Sequence, residues 1–130
     1  MIKRTIKYVD YDDVEKTEDV YFNLSESELT KLDAKYEGGL RAMIYKIVDA
    51  KEISNIMEMF EMILHISYGE KSPDGKYFWK KDKDGKDLAT NFEQSAAYNQ
   101  LFTELLSDPE GAGNFINGIL PKDRQQQAKA

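Results

Sequence analysis

The chain has 130 residues, with 18 lysines and arginines against 24 aspartates and glutamates, a formal net charge of −6. Clustered Lys and Arg are what hold a phosphate backbone; here the basic residues are scattered among carboxylates, which argues against a nucleic-acid partner, and the same acidity repels anionic lipid. The absence of cysteine removes a disulfide framework, a thiolate zinc site and a cysteine nucleophile together.

Met1 to Tyr8 alternates apolar and charged residues, unlike a signal peptide. No stretch approaches the ~18 apolar residues of a membrane span, so no membrane is implied and cytosol is the expected compartment. Ile2, Arg4, Ile6 and Tyr8 give the period of a half-buried strand, and Val14 to Phe22 repeats it after Asp10-Tyr11-Asp12-Asp13. This predicts a β-hairpin with a short acidic turn. A hairpin alone is marginal in water, so its apolar face must lie on helices.

Leu24-Ser25-Glu26-Ser27-Glu28-Leu29 is a capping box, with Ser25 as N-cap, Glu28 as its partner and Leu24 and Leu29 as the hydrophobic staple. It predicts a helix from about Glu26 to Tyr36, stopped at Gly38-Gly39. A second helix is expected over Leu40 to Asp49, with Met43, Ile44, Ile47 and Val48 on one side.

The third helix is expected from about Glu52 to Tyr68. At about 100° per residue, Ile53, Ile56, Met57, Phe60, Ile63 and Leu64 share one face, while Glu58, Glu61, Ser54 and His65 form a polar stripe. Met59, Met62 and Ile66 fall in neither group. The helix is therefore apolar over more of its girth than one packed layer requires: either it is central, or a second strip is kept for a partner.

Ser72-Pro73-Asp74-Gly75 is a turn, because Pro presets φ and Gly follows Asp. After the charged loop Lys80 to Asp87, a helix capped by Thr90 with Glu93, or by Ser95, carries Tyr98, Leu101, Phe102, Leu105 and Leu106 at helical spacing. Asp108-Pro109 starts a last helix as cap and N1, with Phe115, Ile116, Ile119 and Leu120. Gly111 and Gly113 weaken it by about 1 kcal/mol each. The expected architecture is one α+β domain over residues 1–121, a hairpin packed on about five helices, with 122–130 as a flexible tail.

Reactive chemistry finds little support. Aligning Gly85 to the sixth position of a calcium loop puts Lys80 at the first and Asn91 at the twelfth, where Asp and Glu are needed. His65, the single histidine, shares its stripe with Glu58 and Glu61, a geometry open to a metal but far more often just solvated. No Gly-x-Ser-x-Gly elbow and no phosphate-cradling glycine pattern is present. No catalytic residue, metal site or cofactor is expected.

The opening Ile2-Lys3-Arg4-Thr5-Ile6 with Thr17 to Leu24, then Glu37-Gly38-Gly39-Leu40, then Ser67-Tyr68-Gly69-Glu70-Lys71-Ser72-Pro73-Asp74-Gly75-Lys76, and finally Ala97-Tyr98 through Asn117-Gly118-Ile119-Leu120-Pro121, resemble in order the tail assembly chaperones of long-tailed bacteriophages of Gram-positive hosts. The charged run Lys80 to Asp87 is longer than the family pattern. The resemblance implies a non-enzymatic factor of the host cytoplasm, absent from the finished virion. Such a factor keeps the apolar tape-measure protein soluble while tail-tube subunits polymerise.

Two surfaces are candidates for that client. Methionine adapts to several partner shapes, which singles out Met59, Met62 and Ile66. The glycine-weakened last helix, with Phe115, Ile116, Ile119 and Leu120, is the other, because a segment that cannot hold itself can order on a partner. The competing expectations are a buried central helix and docking of the last helix on its own core. The open hairpin edge is compatible with self-association. Other functional readings are a small structural or connector protein retained in the virion, and an acidic host-directed inhibitor.

Overall fold

The structure, a computed structural model, describes residues 1–35, 42 and 57–121. Along them run β1 (Ile2–Val9), β2 (Glu15–Phe22), α1 (Glu26–Lys35), α2 (Met57–Ser67), β3 (Tyr68–Lys71), β4 (Phe78–Trp79), α3 (Leu88–Phe92), α4 (Ala96–Leu106) and α5 (Pro109–Ile119). The expected α+β class, a hairpin with five helices among the described residues, is what forms. The Gly38-Gly39 stop, the helix expected over 40–49 apart from the helical Ala42, the first turn expected from Glu52 and the tail 122–130 lie outside the described residues.

The hairpin pairs antiparallel from Ile2↔Phe22 to Val9↔Glu15. Its turn is built by Asp10, whose carboxylate accepts from the amides of Asp12 at 2.8 Å and Val14 at 3.0 Å, while Asp13 takes a left-handed φ of 63°. The Lys16 ammonium, 2.7 Å from Asp10, and those amides lower the Asp10 pKa to about 2. On the covered face Ile6, Val20 and Phe22 are buried.

The sheet is larger than the hairpin. Its order is β1-β2-β3-β4, every neighbour antiparallel. Tyr68, expected as the last residue of a helix, instead opens β3. Two contacts redirect the chain there: the Ser67 hydroxyl donates to the Ile63 carbonyl at 2.7 Å, and the Asn23 amide donates to the Ser67 carbonyl at 2.8 Å. Tyr21 and Phe22 then pair with Gly69 and Tyr68. Gly69 is small by necessity, since a Cβ there would strike the Phe78 ring and come within 2.6 Å of the Trp79 carbonyl oxygen.

The capping box forms as expected: the Glu28 amide donates to Ser25 Oγ (3.2 Å) and the Ser25 amide to Glu28 Oε1 (2.9 Å). Leu24 and Leu29 are both buried. Between Asp87 and Ser107 the chain makes two helices rather than one. Asp87 stands at the N-cap of the five-residue α3, so Thr90 is interior to it, and Ser95 caps α4 by accepting from the Tyr98 amide at 3.1 Å. Asp108 caps α5 through the Gly111 amide at 3.1 Å, with Pro109 in the first turn.

Aromatic rings bind sheet to helices. Phe22 meets Tyr68, Phe92 and Phe115 edge-on, at centroid distances of 5.7, 6.1 and 5.1 Å, and Tyr68 stacks on Phe92 at 4.1 Å. Such pairs add about 0.5–1.5 kcal/mol each beyond area burial. Burial pushes the Tyr68 and Tyr98 hydroxyls up to about 12, so both remain neutral phenols.

Candidate partner-binding surface

Helix α2 divides its circumference as its sequence period requires. Phe60, Ile63 and Leu64 are buried and Glu58 and Glu61 exposed, while Met59, Met62 and Ile66 lie between as half-buried side chains against the rim of the core.

The other candidate surface closes on itself. Phe115, Ile116, Ile119 and Leu120 are all buried, Ile116 and Ile119 completely. The physical reason is that α5 does not stand alone. Asp108 and Pro109 set its first turn, Phe115 packs on Phe22, and the Ile119 carbonyl accepts from the Leu24 amide at 3.2 Å. These contacts offset the glycine cost, and the four side chains form core rather than a free face.

Ile66 opens into a groove of about 270 Å³ between α1, α2 and α3. Its floor is Leu24, Leu32, Ile66, Tyr68 and Ala89, and charged side chains, among them Lys31 and Asp87, border it.

Two polar clusters brace its walls. The Lys80 ammonium donates to Glu28 Oε2 at 2.8 Å and to the Ile66 carbonyl at 2.7 Å, tying the residue after β4 to the α1 cap and the end of α2. For Glu28, burial alone would push the pKa up; Lys80 and the Ser25 amide outweigh it, and the net direction is down. His65 is held by carboxylates from outside its own helix: Nδ1 is 2.9 Å from Glu93 Oε2 and Nε2 is 3.2 Å from Asp87 Oδ2.

The structure keeps His65 with Glu58 and Glu61 around one shallow concavity, and gives it Glu93 and Asp87 as hydrogen-bond partners. Among the described residues no group of three or more His, Asp and Glu side chains is arranged to hold a metal ion, and no described helix is long and apolar enough to cross a membrane. The sequence reading missed Leu32 and Lys80. The first had a signal, since Leu29 and Leu32 are three residues apart on one helix face; Lys80, 52 residues from Glu28 in the chain, had none.

No curated protein and no solved structure matches the chain. A family model described as phage tail assembly chaperone matches residues 1–130; the chain belongs to the phage tail assembly chaperone family, whose members act with protein partners in building the tail.

Proposed function

We propose that this chaperone binds the tape-measure protein and keeps it soluble while tail-tube subunits assemble around it. On this reading the protein is a non-enzymatic factor of the host cytoplasm, from a long-tailed phage of a Gram-positive host, and is left out of the finished particle. Residues 1–121 act as one α+β domain. The observation that supports the reading is the groove with an apolar floor to which Ile66, one of the three half-buried apolar side chains Met59, Met62 and Ile66 of α2, contributes. Amphipathic helices lay apolar faces into such grooves, anchored by side chains at i, i+3, i+4 and i+7.

Co-expression tests it. The wild-type protein is expected to move the tape-measure protein from the pellet to the soluble fraction and to co-purify with it. Ile66→Asp is expected to lose that effect with its circular dichroism unchanged. A tape-measure protein that stays insoluble beside wild-type protein, or full solubilisation by a folded Ile66→Asp, refutes the reading. Particles containing the protein at stoichiometric copy number would support a virion component instead.

A further inference from the structure

Glu58, Glu61, Met62 and His65 stand at i, i+3, i+4 and i+7 on one face of α2. With Glu93, which closes α3, and Tyr98 of α4 they line a shallow concavity of about 480 Å³. It adjoins the groove at His65, which lines both. Glu93 is spent on His65, but the exposed carboxylates of Glu58 and Glu61 enter no ion pair or hydrogen bond among the described residues. With every partner counted, the four carboxylates of Glu58, Glu61, Glu93 and Asp87 meet two cations, His65 and Lys81, a net −2. The Lys80–Glu28 pair beyond them is neutral, and Asp82, Lys83, Asp84 and Lys86 cancel. Tyr98 adds an independent observation. It is only 7% exposed, yet its hydroxyl has no hydrogen-bond partner among the described residues. Burial, and then the charges of Glu93 and Glu61, push its pKa up to about 12, so a neutral phenol oxygen is offered beside those carboxylates. Buried polar groups of this kind are as a rule hydrogen-bonded.

From this arrangement we infer that the concavity is a contact point for a partner protein and takes an arginine side chain of that partner. A guanidinium carries five N–H donors in one plane and no acceptor, which matches two unpaired carboxylates and a phenol oxygen. It is more weakly hydrated than an ammonium, which favours it in a site with an apolar wall at the half-buried Met62. A metal ion fits less well, since no group of three or more acidic or histidine side chains among the described residues is arranged to hold one. The inference goes beyond the proposed function, because it requires an accessible arginine on a partner and not a particular client. Ile66 does not line the concavity, so the solubilisation test above and the binding test below can fail separately.

The test titrates the isotope-labelled full-length protein with N-acetyl-arginine amide at low salt and follows backbone amide shifts by NMR. Saturable shifts are expected in residues 58–65 and 93–98. Glu58→Gln/Glu61→Gln alters only exposed side chains and is expected to weaken binding at least about tenfold, as charge-assisted hydrogen bonds are lost. Tyr98→Phe removes one neutral hydrogen bond and is expected to weaken it about threefold without lowering the melting temperature. The citrulline analogue, which keeps the shape and drops the charge, is expected to bind at least about tenfold more weakly. Asp12→Asn/Asp13→Asn makes the same change in net charge at the hairpin turn and is expected to leave binding as in wild type. The inference is overturned by absent shifts at these residues, by normal binding to the Glu58/Glu61 double variant, or by an equal loss in the Asp12/Asp13 variant. It is also overturned if N-acetyl-lysine amide or the citrulline analogue binds as tightly, or if magnesium chloride displaces the ligand at constant ionic strength, which would put a metal ion there.

Discussion

His65 Nδ1 lies 2.9 Å from Glu93 Oε2, and because the other ring nitrogen lies 3.2 Å from Asp87 Oδ2, one imidazole bridges both ends of α3. A neutral imidazole has a single N–H, so one of the two contacts would set a lone pair against a carboxylate. The bridge is satisfied only by the imidazolium.

Partial burial opposes that charge and is the largest single influence, but the bonds to Glu93 and Asp87 together outweigh it and raise the His65 pKa above its ordinary value. A group whose pKa is raised by folding adds stability that is complete below its unfolded value, ~6.5 for histidine, and is lost as pH rises through the folded value. The melting-temperature gap between wild type and His65→Gln should therefore be widest on the acid side of neutrality and close as the medium becomes alkaline. A gap that widens with pH would refute the imidazolium bridge.

Asp13 and Gly85 occupy equivalent turn positions. In each turn an aspartate three residues earlier accepts two amides, and the residue in question has φ near +63° or +79°. An L side chain in that region costs about 1 kcal/mol. Asp13→Gly should raise the unfolding free energy by up to that amount, read as a higher urea midpoint at unchanged slope, and Gly85→Ala should lower both.

Gly69 permits β3 to lie against β4. Gly69→Ala drives a methyl group into the Phe78 ring and the Trp79 carbonyl, and overpacking of this kind costs about 1–3 kcal/mol. Thermal unfolding should register the loss, and hydrogen exchange should show it first in residues 68–79.

Phe115 is 2% exposed and joined to Phe22. Phe115→Ala should cost about 3–5 kcal/mol, as large-to-small changes of buried aromatics do, and lower the melting temperature accordingly. Met62→Asp, at a half-buried position, should cost far less and act on client solubilisation instead.

Local signals were readable wherever a few adjacent residues decide the outcome. The capping box at Ser25 and Glu28, the Asp108-Pro109 start and the alternation of Ile2, Arg4, Ile6 and Tyr8 all became the elements they indicated. Strands β3 and β4 were not readable, because four and two residues are too short for a period to register. Their existence depends on Asn23 and Phe22, more than 40 positions away, receiving Ser67 and Tyr68. Separation along the chain, 28 and 22 residues for the partners of His65 and 52 for the Glu28–Lys80 bond, hid these contacts too. For α5, glycine content pointed to weakness, whereas its stability comes from Phe22 and Leu24, which no local window contains.

The pairing of Phe22 with Phe115 and of Leu24 with Ile119 sets a schedule for biosynthesis. While the ribosome is still translating codons before 115, the hairpin has emerged with its greasy side uncovered, and the native centre cannot close. Completion waits for the stretch ending at Leu120, so premature termination even a dozen codons upstream of that point should yield a polypeptide destined for proteolysis rather than a shorter working chaperone.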